Sequence, residues 1–237
     1  GSAITLNHQS IQFIQNKGQW HQNVYYRSPL GNGSVYLENN GFTYLQLDPS
    51  DVDLAHAQSH ENHPLEIDQI TKLHGHVWRT HFDGANENPI ISAHNKRSEY
   101  HNYYIGQDAE KWANNVPIFN VVNYENLYNK IDLNVYSSNG HFKYDFILAP
   151  KAKASQIKMN YAGLDQITIK DGHLFSTTSV GEFIEEAPYA YQIIDGKEMA
   201  IPCNYILNGT TVGFEFPEGY DKKLELAIDP ILVGATL

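Results

Sequence analysis

Residues 131–148 read IDLNVYSSNGHFKYDFIL, and this stretch decides the fold. Apolar and polar side chains alternate along both of its arms, which is the period of a strand with one buried face. Asn139-Gly140 lies between the arms. Asn followed by Gly is favoured in the tight turns whose central residues need positive φ. The stretch therefore predicts an antiparallel β-hairpin.

The same signals recur along the chain. Further turn pairs stand at Asn40-Gly41, Asp171-Gly172, Asp195-Gly196 and Asn208-Gly209, and alternating segments stand at 42–47, 157–161, 189–193 and 212–216. Aromatic residues make up 12% of the chain, and they pack well on a pleated surface. We therefore expect an all-β protein built as an antiparallel β-sandwich, with alternate strand positions forming the core. Two packed sandwich-like lobes or an open supersandwich are the alternatives.

The domain organisation follows from weaker signals. Residues 1–10 are interpreted as a cloning scar and a leader remnant, and residues 11–237 as the β-sandwich module. A soft boundary near Gly106 allows two lobes, 11–108 and 113–237. The polar stretch 48–68 lacks strand periodicity and predicts a surface loop. At most one or two short helical turns are expected, one of them at 108–112, which Asp108 begins and Pro117 stops from extending.

Charge and cysteine content limit the partners. The chain has 16 basic and 27 acidic residues and a formal net charge of −11, which repels phosphate backbones and argues against nucleic acid. No run approaches the roughly 20 apolar residues of a membrane-spanning helix, so no membrane insertion is expected. The single cysteine, Cys203, cannot form an intrachain disulfide and is interpreted as a small buried hydrophobe.

Two groups of residues are candidates for metal binding. His74 and His76 fall on one face of a predicted strand and could share an ion with His81. The acidic residues Asp48, Asp51 and Asp53 could supply oxygen ligands to calcium. No zinc-site or EF-hand spacing accompanies either group. Ordinary surface side chains are therefore the favoured interpretation, and calcium stays the one cofactor to consider.

Catalytic signals are sparse. Glu182, Glu185 and Glu186 form an acidic cluster, and a polysaccharide-processing enzyme would need two carboxylates facing each other across a groove. The sequence contains no G-x-S-x-G motif and no glycine-rich phosphate cradle before a helix. An enzyme is therefore the less favoured alternative, and no catalytic residue is assigned.

The three tryptophans are candidates for ligand binding. Trp20, Trp78 and Trp112 could stack on sugar rings in a carbohydrate-binding module. Most aromatic residues of this chain lie at alternating strand positions, so core packing is the competing explanation for each of them.

A set of short phrases, in this order, resembles a known bacterial family. The phrases are Phe13-Ile14-Gln15-Asn16-Lys17-Gly18-Gln19-Trp20, Gly41-Phe42-Thr43-Tyr44, Asn102-Tyr103-Tyr104-Ile105-Gly106, Tyr124-Glu125-Asn126-Leu127-Tyr128, Ile131-Asp132-Leu133, Lys143-Tyr144-Asp145-Phe146, Pro188-Tyr189-Ala190-Tyr191-Gln192 and Ile228-Asp229-Pro230. Over nearly its whole length the chain resembles the N-terminal domain of large secreted proteins common in the Bacteroidetes. In those proteins the domain precedes SBBP β-propeller repeats, PKD-like domains or a gliding-motility-type sorting domain.

The resemblance implies export through a type IX system and an extracellular or outer-surface location. It implies no activity, because the family has no established function or catalytic residues. We therefore expect a non-catalytic module of a multidomain protein, with a structural, adhesive or docking role. Its expected partners are downstream domains of the same polypeptide and an extracellular glycan or protein.

Overall fold

The computed structural model describes residues 12–53, 73–103, 113–138, 140–230 and 232–236. These residues form 19 strands and no helix of seven or more residues, so the all-β prediction is confirmed. The predicted helical turn at 108–112 lies outside the described residues, as does most of the polar stretch 48–68.

The strands are numbered in chain order. The first ten are β1 (Phe13–Gln15), β2 (Val24–Leu30), β3 (Gly33–Glu38), β4 (Gly41–Leu47), β5 (Gly75–Phe82), β6 (Ile90–Tyr103), β7 (Ala113–Tyr128), β8 (Ile131–Ser138), β9 (His141–Leu148) and β10 (Met159–Ala162). The remaining nine are β11 (Gln166–Lys170), β12 (His173–Thr178), β13 (Gly181–Glu185), β14 (Tyr189–Ile194), β15 (Lys197–Ile201), β16 (Asn204–Asn208), β17 (Thr211–Glu215), β18 (Leu226–Asp229) and β19 (Leu232–Thr236).

The hairpin predicted at 131–148 is confirmed as β8 and β9. The two strands pair antiparallel from Ile131↔Leu148 to Ser138↔His141, and Gly140 has a φ of 77°. The alternating apolar residues of both arms are buried.

One large antiparallel sheet contains 15 of the strands. Its order is β15-β14-β18-β9-β8-β7-β1-β2-β3-β4-β5-β10-β17-β16, with β6 pairing with β7 beside this path. Pairing of β1 with β7 joins residues of the two predicted lobes 11–108 and 113–237 within this sheet.

The large sheet folds back on itself. Laid flat, 14 strands would set β15 and β16 about 60 Å apart, at about 4.8 Å per strand. Yet only Pro202 and Cys203 separate these two strands in sequence, and so short a connection spans at most about 11 Å. The two ends of the sheet must therefore lie close together, and this fold-back produces the layers of the predicted sandwich.

Aromatic side chains fill the space between the layers. Phe42 of β4 lies 5.7 Å from Phe142 of β9, measured between ring centroids. Phe146 of β9 contacts Phe82 of β5 at 6.2 Å and Phe214 of β17 at 6.0 Å. All three contacts are edge-to-face, which is a favourable geometry for aromatic pairs.

A small four-stranded sheet, β11-β12-β13-β19, packs on the large one. Phe183 of β13 contacts Trp78 of β5 at 4.4 Å. The carboxyl of Glu185, also on β13, accepts a hydrogen bond from Tyr161 of β10 and lies 3.4 Å from the hydroxyl of Tyr144 on β9. Strands β9 and β10 belong to opposite layers, so the small sheet joins the two layers.

In the part of the chain that the structure describes, helical structure occurs only in short turns. Residues 49–53 form one helical turn, and Ala154–Gln156 form a 3-10 turn. Asp48 caps the first turn by accepting the backbone N–H of Ser50 at 2.9 Å. Within the described ranges, no helix combines the length and apolar character that crossing a membrane requires.

Strand β14 buries the face opposite to the one that its apolar alternation predicts. Tyr189 and Ile193 are exposed, whereas Ala190 and Gln192 are buried. Gln192 is accommodated because its side-chain amide donates to the carbonyl oxygen of Asp221 at 2.8 Å and accepts the Asp221 N–H at 3.0 Å. The larger side chains of β14 are thereby left on the outer face of the sheet.

Candidate functional site: the Trp20 cleft

The loop between β1 and β2 is built around one amide side chain. Asn16 donates from Nδ2 to the carbonyl oxygens of Trp20, His21 and Val24 at 3.3, 2.9 and 2.8 Å. Its Oδ1 accepts the N–H groups of Gly18 at 2.9 Å and Trp20 at 3.2 Å. Five hydrogen bonds from one side chain fix the backbone of this loop.

A second amide reinforces the same loop. Gln19 is buried; its Oε1 accepts the Lys17 N–H at 2.6 Å and its Nε2 donates to the Gln15 carbonyl at 2.7 Å. Gly18 adopts a φ of 104°, which glycine reaches at no steric cost. The phrase Asn16-Lys17-Gly18-Gln19-Trp20 is therefore a preorganised loop that holds Trp20 in place.

Trp20 is packed on several sides. Its ring meets Tyr36 edge-on at 6.3 Å, and the guanidinium of Arg27 lies 5.7 Å from its centroid. It also packs against a small buried cluster of Ile14, Ala113, Val116 and Ile118. The ring is half-buried, so it forms a fixed wall.

Tyr25 lies beside this wall because of an irregularity in β2. Val24 pairs with Glu38 and Tyr26 pairs with Leu37, so Tyr25 is an extra residue on its strand. Such β-bulges redirect side chains and occur next to functional sites. Tyr25 is 42% exposed, while its neighbour Tyr26 is buried against Phe119.

These residues line an open cleft of about 520 Å³. Its described lining consists of Gln15, Asn16, Gly18, Trp20, Gln22, Val24, Tyr25 and Tyr26. None of these lining residues carries a formal charge, although 18% of the chain is charged. Aromatic rings and amides in a concave surface suit a neutral, hydrogen-bonding ligand.

The acidic cluster Glu182, Glu185 and Glu186, considered as a glycosidase signal, does not line the Trp20 cleft. Glu185 is 4% exposed, and both of its carboxyl oxygens lie 2.9 Å from the Tyr161 hydroxyl. Burial raises the pKa of Glu185 to about 7. Glu182, on the same strand, is half-buried, and Glu186, just past the end of that strand, is exposed. The carboxyl of Glu185 therefore joins two sheets inside the protein.

A second acidic pair lies on the outer face of the large sheet. The register of β9 and β18 places Asp229 beside Asp145, one step past the pair Ile228↔Phe146. Asp229 accepts from Lys143 Nζ at 2.8 Å, and Tyr136 donates to Asp145 at 2.8 Å. Burial, followed by the charge of Asp229, raises the pKa of Asp145 to about 7.

Three of the sequence phrases that carry the family resemblance lie on the strands around the Asp145–Asp229 pair. Lys143-Tyr144-Asp145-Phe146 lies on β9, Ile228-Asp229-Pro230 begins on β18, and Pro188-Tyr189-Ala190-Tyr191-Gln192 covers most of β14. These strands are consecutive neighbours in the sheet. The phrases therefore describe one region of the fold as well as a sequence pattern.

The candidate histidine ligands have separate partners. His74 Nδ1 pairs with Asp51 at 2.8 Å. His76 accepts the Ser179 N–H at 3.1 Å and contacts the Gly163 carbonyl through Nε2 at 2.5 Å. His81 pairs with Asp83 at 2.7 Å.

The candidate calcium ligands are also dispersed. Asp48 caps a helical turn, Asp51 binds the backbone and ring of His74, and Asp53 is exposed. Hydrogen bonds from His74 lower the pKa of Asp51. Among the described residues, no three His, Cys, Asp or Glu side chains converge as a metal site would require.

The remaining residues singled out in the sequence either pack in the core or lie outside the described residues. Trp78 is 3% exposed and stacks on Tyr44 at 4.8 Å, so its ring is unavailable to a surface ligand. Trp112 lies outside the described residues. Cys203 packs against the core, and burial raises the pKa of its thiol to about 12. Of the three predicted tryptophans, the structure brings Trp20 to a cleft.

Sequence reasoning missed Tyr25 and the Asp145–Asp229 pair. A bulge is defined by the register of two strands, so alternation along one strand cannot locate it. The acidic pair joins residues 84 positions apart and depends on the order of strands in the sheet. The only sequence feature that could have pointed to Tyr25 is its position next to the loop that carries Trp20.

Over the described residues, fold and site together define an all-β, sheet-based domain whose aromatic cleft has no charged residue in its described lining. The chain belongs to the family described as "Domain of unknown function (DUF7948)", which matches residues 13–231. No curated protein and no solved structure matches the chain.

Proposed function

We propose that this chain is a non-catalytic recognition module of a multidomain secreted or cell-surface bacterial protein, with an adhesive or docking role. The observation that carries the proposal is the Trp20 cleft. Asn16 and Gln19 fix its loop, and Tyr25 supplies an exposed aromatic ring. No residue of its described lining carries a charge. A rigid, uncharged concave surface is suited to holding a ligand.

The two carboxyls of raised pKa support a binding role because both are engaged elsewhere. Glu185 is enclosed by tyrosine hydroxyls between the two sheets. Asp145 is held by Tyr136 on the outer face of β9. Neither residue lines the Trp20 cleft, so acid–base chemistry at the cleft would need a group from outside its described lining.

The proposed location and domain context rest on the sequence phrases quoted above. In its native host, the protein should be found in the medium or be removable from intact cells by added protease. Detection in the cytoplasm alone, with no surface or released fraction, would overturn this part of the proposal.

Adhesion and catalysis can be tested with the same purified chain. Retention on surfaces coated with polysaccharides or extracellular matrix proteins should fall in Tyr25→Ala, while no coating is degraded. Retention equal to that of the unsubstituted chain would remove the cleft from the proposal. Degradation of a coating that disappears on substituting one carboxylate would identify an enzyme instead.

A further inference from the structure

We infer that the Trp20 cleft binds a neutral glycan. The inference rests on the proposed function, because it names the ligand class of the same recognition surface. It uses three properties of the cleft: the chemistry of its lining, the direction of Tyr25 and the rigidity of its loop.

The lining matches the chemistry of an uncharged sugar. Pyranose rings present hydroxyl groups that donate and accept hydrogen bonds, along with apolar C–H faces. The lining includes Gln15 and Gln22, whose side-chain amides can also donate and accept hydrogen bonds. Because the chain carries a formal charge of −11, an acidic polysaccharide would be repelled at long range.

Trp20 and Tyr25, the half-buried and the exposed aromatic residue of the cleft, have different roles. Arg27 lies over the ring of Trp20 and Tyr36 contacts it edge-on, so Trp20 forms a wall whose surfaces are partly occupied. Tyr25 is 42% exposed and is redirected by the bulge in β2. We therefore assign the stacking contact with a sugar ring to Tyr25 and the positioning of that sugar to Trp20.

The rigidity of the loop between β1 and β2 favours binding of a polar ligand that makes only weak contacts. Sugars give up well-ordered water on binding, so the protein gains affinity by avoiding the entropy cost of ordering its own loop. The five hydrogen bonds of Asn16 and the two of Gln19 already supply that order. The volume of about 520 Å³ lies within the range of small-molecule sites, roughly 300 to 1,000 Å³, and suits a short oligosaccharide segment.

The test compares neutral and charged polysaccharides as probes. Affinity electrophoresis and calorimetry would use neutral glucans, mannans and galactans, with polygalacturonate and heparin as charged counterparts. At least one neutral probe should bind, and its dissociation constant should change less than about twofold between about 50 and 500 mM NaCl, because no charge is neutralised. Stronger binding of the charged probes, with loss in salt, would overturn the inference.

A matched pair of tyrosines separates the cleft from the rest of the surface. Tyr25→Ala should weaken binding of the neutral probe about tenfold or more, the cost of losing one aromatic stacking partner. Tyr189→Ala removes a tyrosine of similar exposure, 41%, from β14 and should leave the dissociation constant unchanged. Equal effects of the two substitutions would overturn the placement in the cleft.

Failure of this inference is distinguishable from failure of the proposed function. If no neutral probe binds but Tyr25→Ala abolishes retention on a protein-coated surface, the glycan is wrong and the recognition role stands. If neither glycan nor protein surfaces retain the chain in a Tyr25-dependent way, the recognition role itself is wrong. Binding of a neutral glycan that Tyr25→Ala weakens supports both.

Discussion

Both carboxyl oxygens of Glu185 lie 2.9 Å from the hydroxyl of Tyr161. The first residue belongs to the small sheet and the second to the large one. Among the described residues, no cationic side chain contributes to the shift in the pKa of Glu185. Burial raises this pKa, and hydrogen bonds from Tyr161 and Tyr144 only partly offset that rise. The contact that joins the sheets is therefore one whose strength depends on pH.

Substitution Glu185→Gln should remove this dependence. The folded pKa of about 7 exceeds the ordinary value of 4.5, so the stabilisation from the protonated carboxyl is present at low pH and is lost as pH rises through 7. The unfolding free energy of the variant minus that of the unsubstituted protein should therefore be about 2 to 3 kcal/mol larger at about pH 8 than at about pH 5.

Urea denaturation at the two pH values measures that gain. The exposed neighbour substitution Glu186→Gln is the control and should show the same pH dependence as the unsubstituted chain. If the stability difference between Glu185→Gln and the unsubstituted chain does not grow on going to the higher pH, the pKa of Glu185 is not raised in the folded protein and the assignment is incorrect.

Asp145→Asn tests the acidic pair on the outer face. Because burial and the charge of Asp229 raise the pKa of Asp145 to about 7, ionisation of Asp145 opposes folding above neutral pH. The variant should be more stable than the unsubstituted protein at about pH 8, and this difference should shrink at about pH 5.

Thermal unfolding monitored by circular dichroism is sufficient for this comparison. Asp171→Asn, at an exposed turn where Asn tolerates the observed φ of 52°, provides the control for loss of one negative charge. A larger stabilisation at pH 5 than at pH 8 would show that Asp145 does not have the raised pKa.

Trp78 should prove to be a core residue. It stacks on Tyr44 with an interplanar angle of 5° and contacts Phe183 of the small sheet. Trp78→Ala should therefore cost about 3 to 5 kcal/mol of unfolding free energy, and Trp78→Phe should cost less. Neutral-glycan binding by Trp78→Phe should equal that of the unsubstituted chain. A variant that stays folded but no longer binds would assign Trp78 to the ligand site.

The fold was predictable where burial follows strand alternation. Along β8 and β9 one face of each strand is buried, so the hydrophobic period and the Asn139-Gly140 turn define the hairpin. In β14 the same period is misleading, because Gln192 is buried to satisfy the backbone at Asp221 and the apolar positions face outward. A polar residue with a distant partner cannot be recognised from its own strand.

The fold-back of the large sheet and the composition of the cleft depend on distant pairings. Strand β1 pairs with β7 about a hundred residues later, as in Phe13↔Phe119. No local turn signal encodes that choice of partner. Trp20 was predictable as a candidate from its residue type, whereas Tyr25 required the register of β2 against β3.

Two glycines provide a direct test of the sheet's packing. A Cβ on Gly33 would lie 1.8 Å from the carbonyl oxygen of Leu45, so β3 and β4 would have to separate. Gly33→Ala should cost about 3 kcal/mol or more. A Cβ on Gly84 meets nothing within 4 Å, but its φ is +71°, so Gly84→Ala should cost only about 1 kcal/mol. Equal costs in urea denaturation would contradict the close pairing at Gly33.

Asn16→Ala should loosen the loop that forms the cleft while leaving the sheets intact. The substitution removes five hydrogen bonds, including the one from Asn16 Nδ2 to the Val24 carbonyl. Amide hydrogen exchange should accelerate at residues 16–24, with little change in the buried strands β8 and β9.

The same substitution should weaken glycan binding, because a loop that must order on binding costs affinity, and Asn16 also lines the cleft. A loss of about tenfold, comparable to that in Tyr25→Ala, is expected. Asn23→Ala changes an exposed residue of the same loop whose side chain does not fix the backbone in this way, and it should behave like the unsubstituted protein in both measurements. Faster exchange with unchanged affinity would mean that loop rigidity does not contribute to binding, and that Asn16 serves only the local fold.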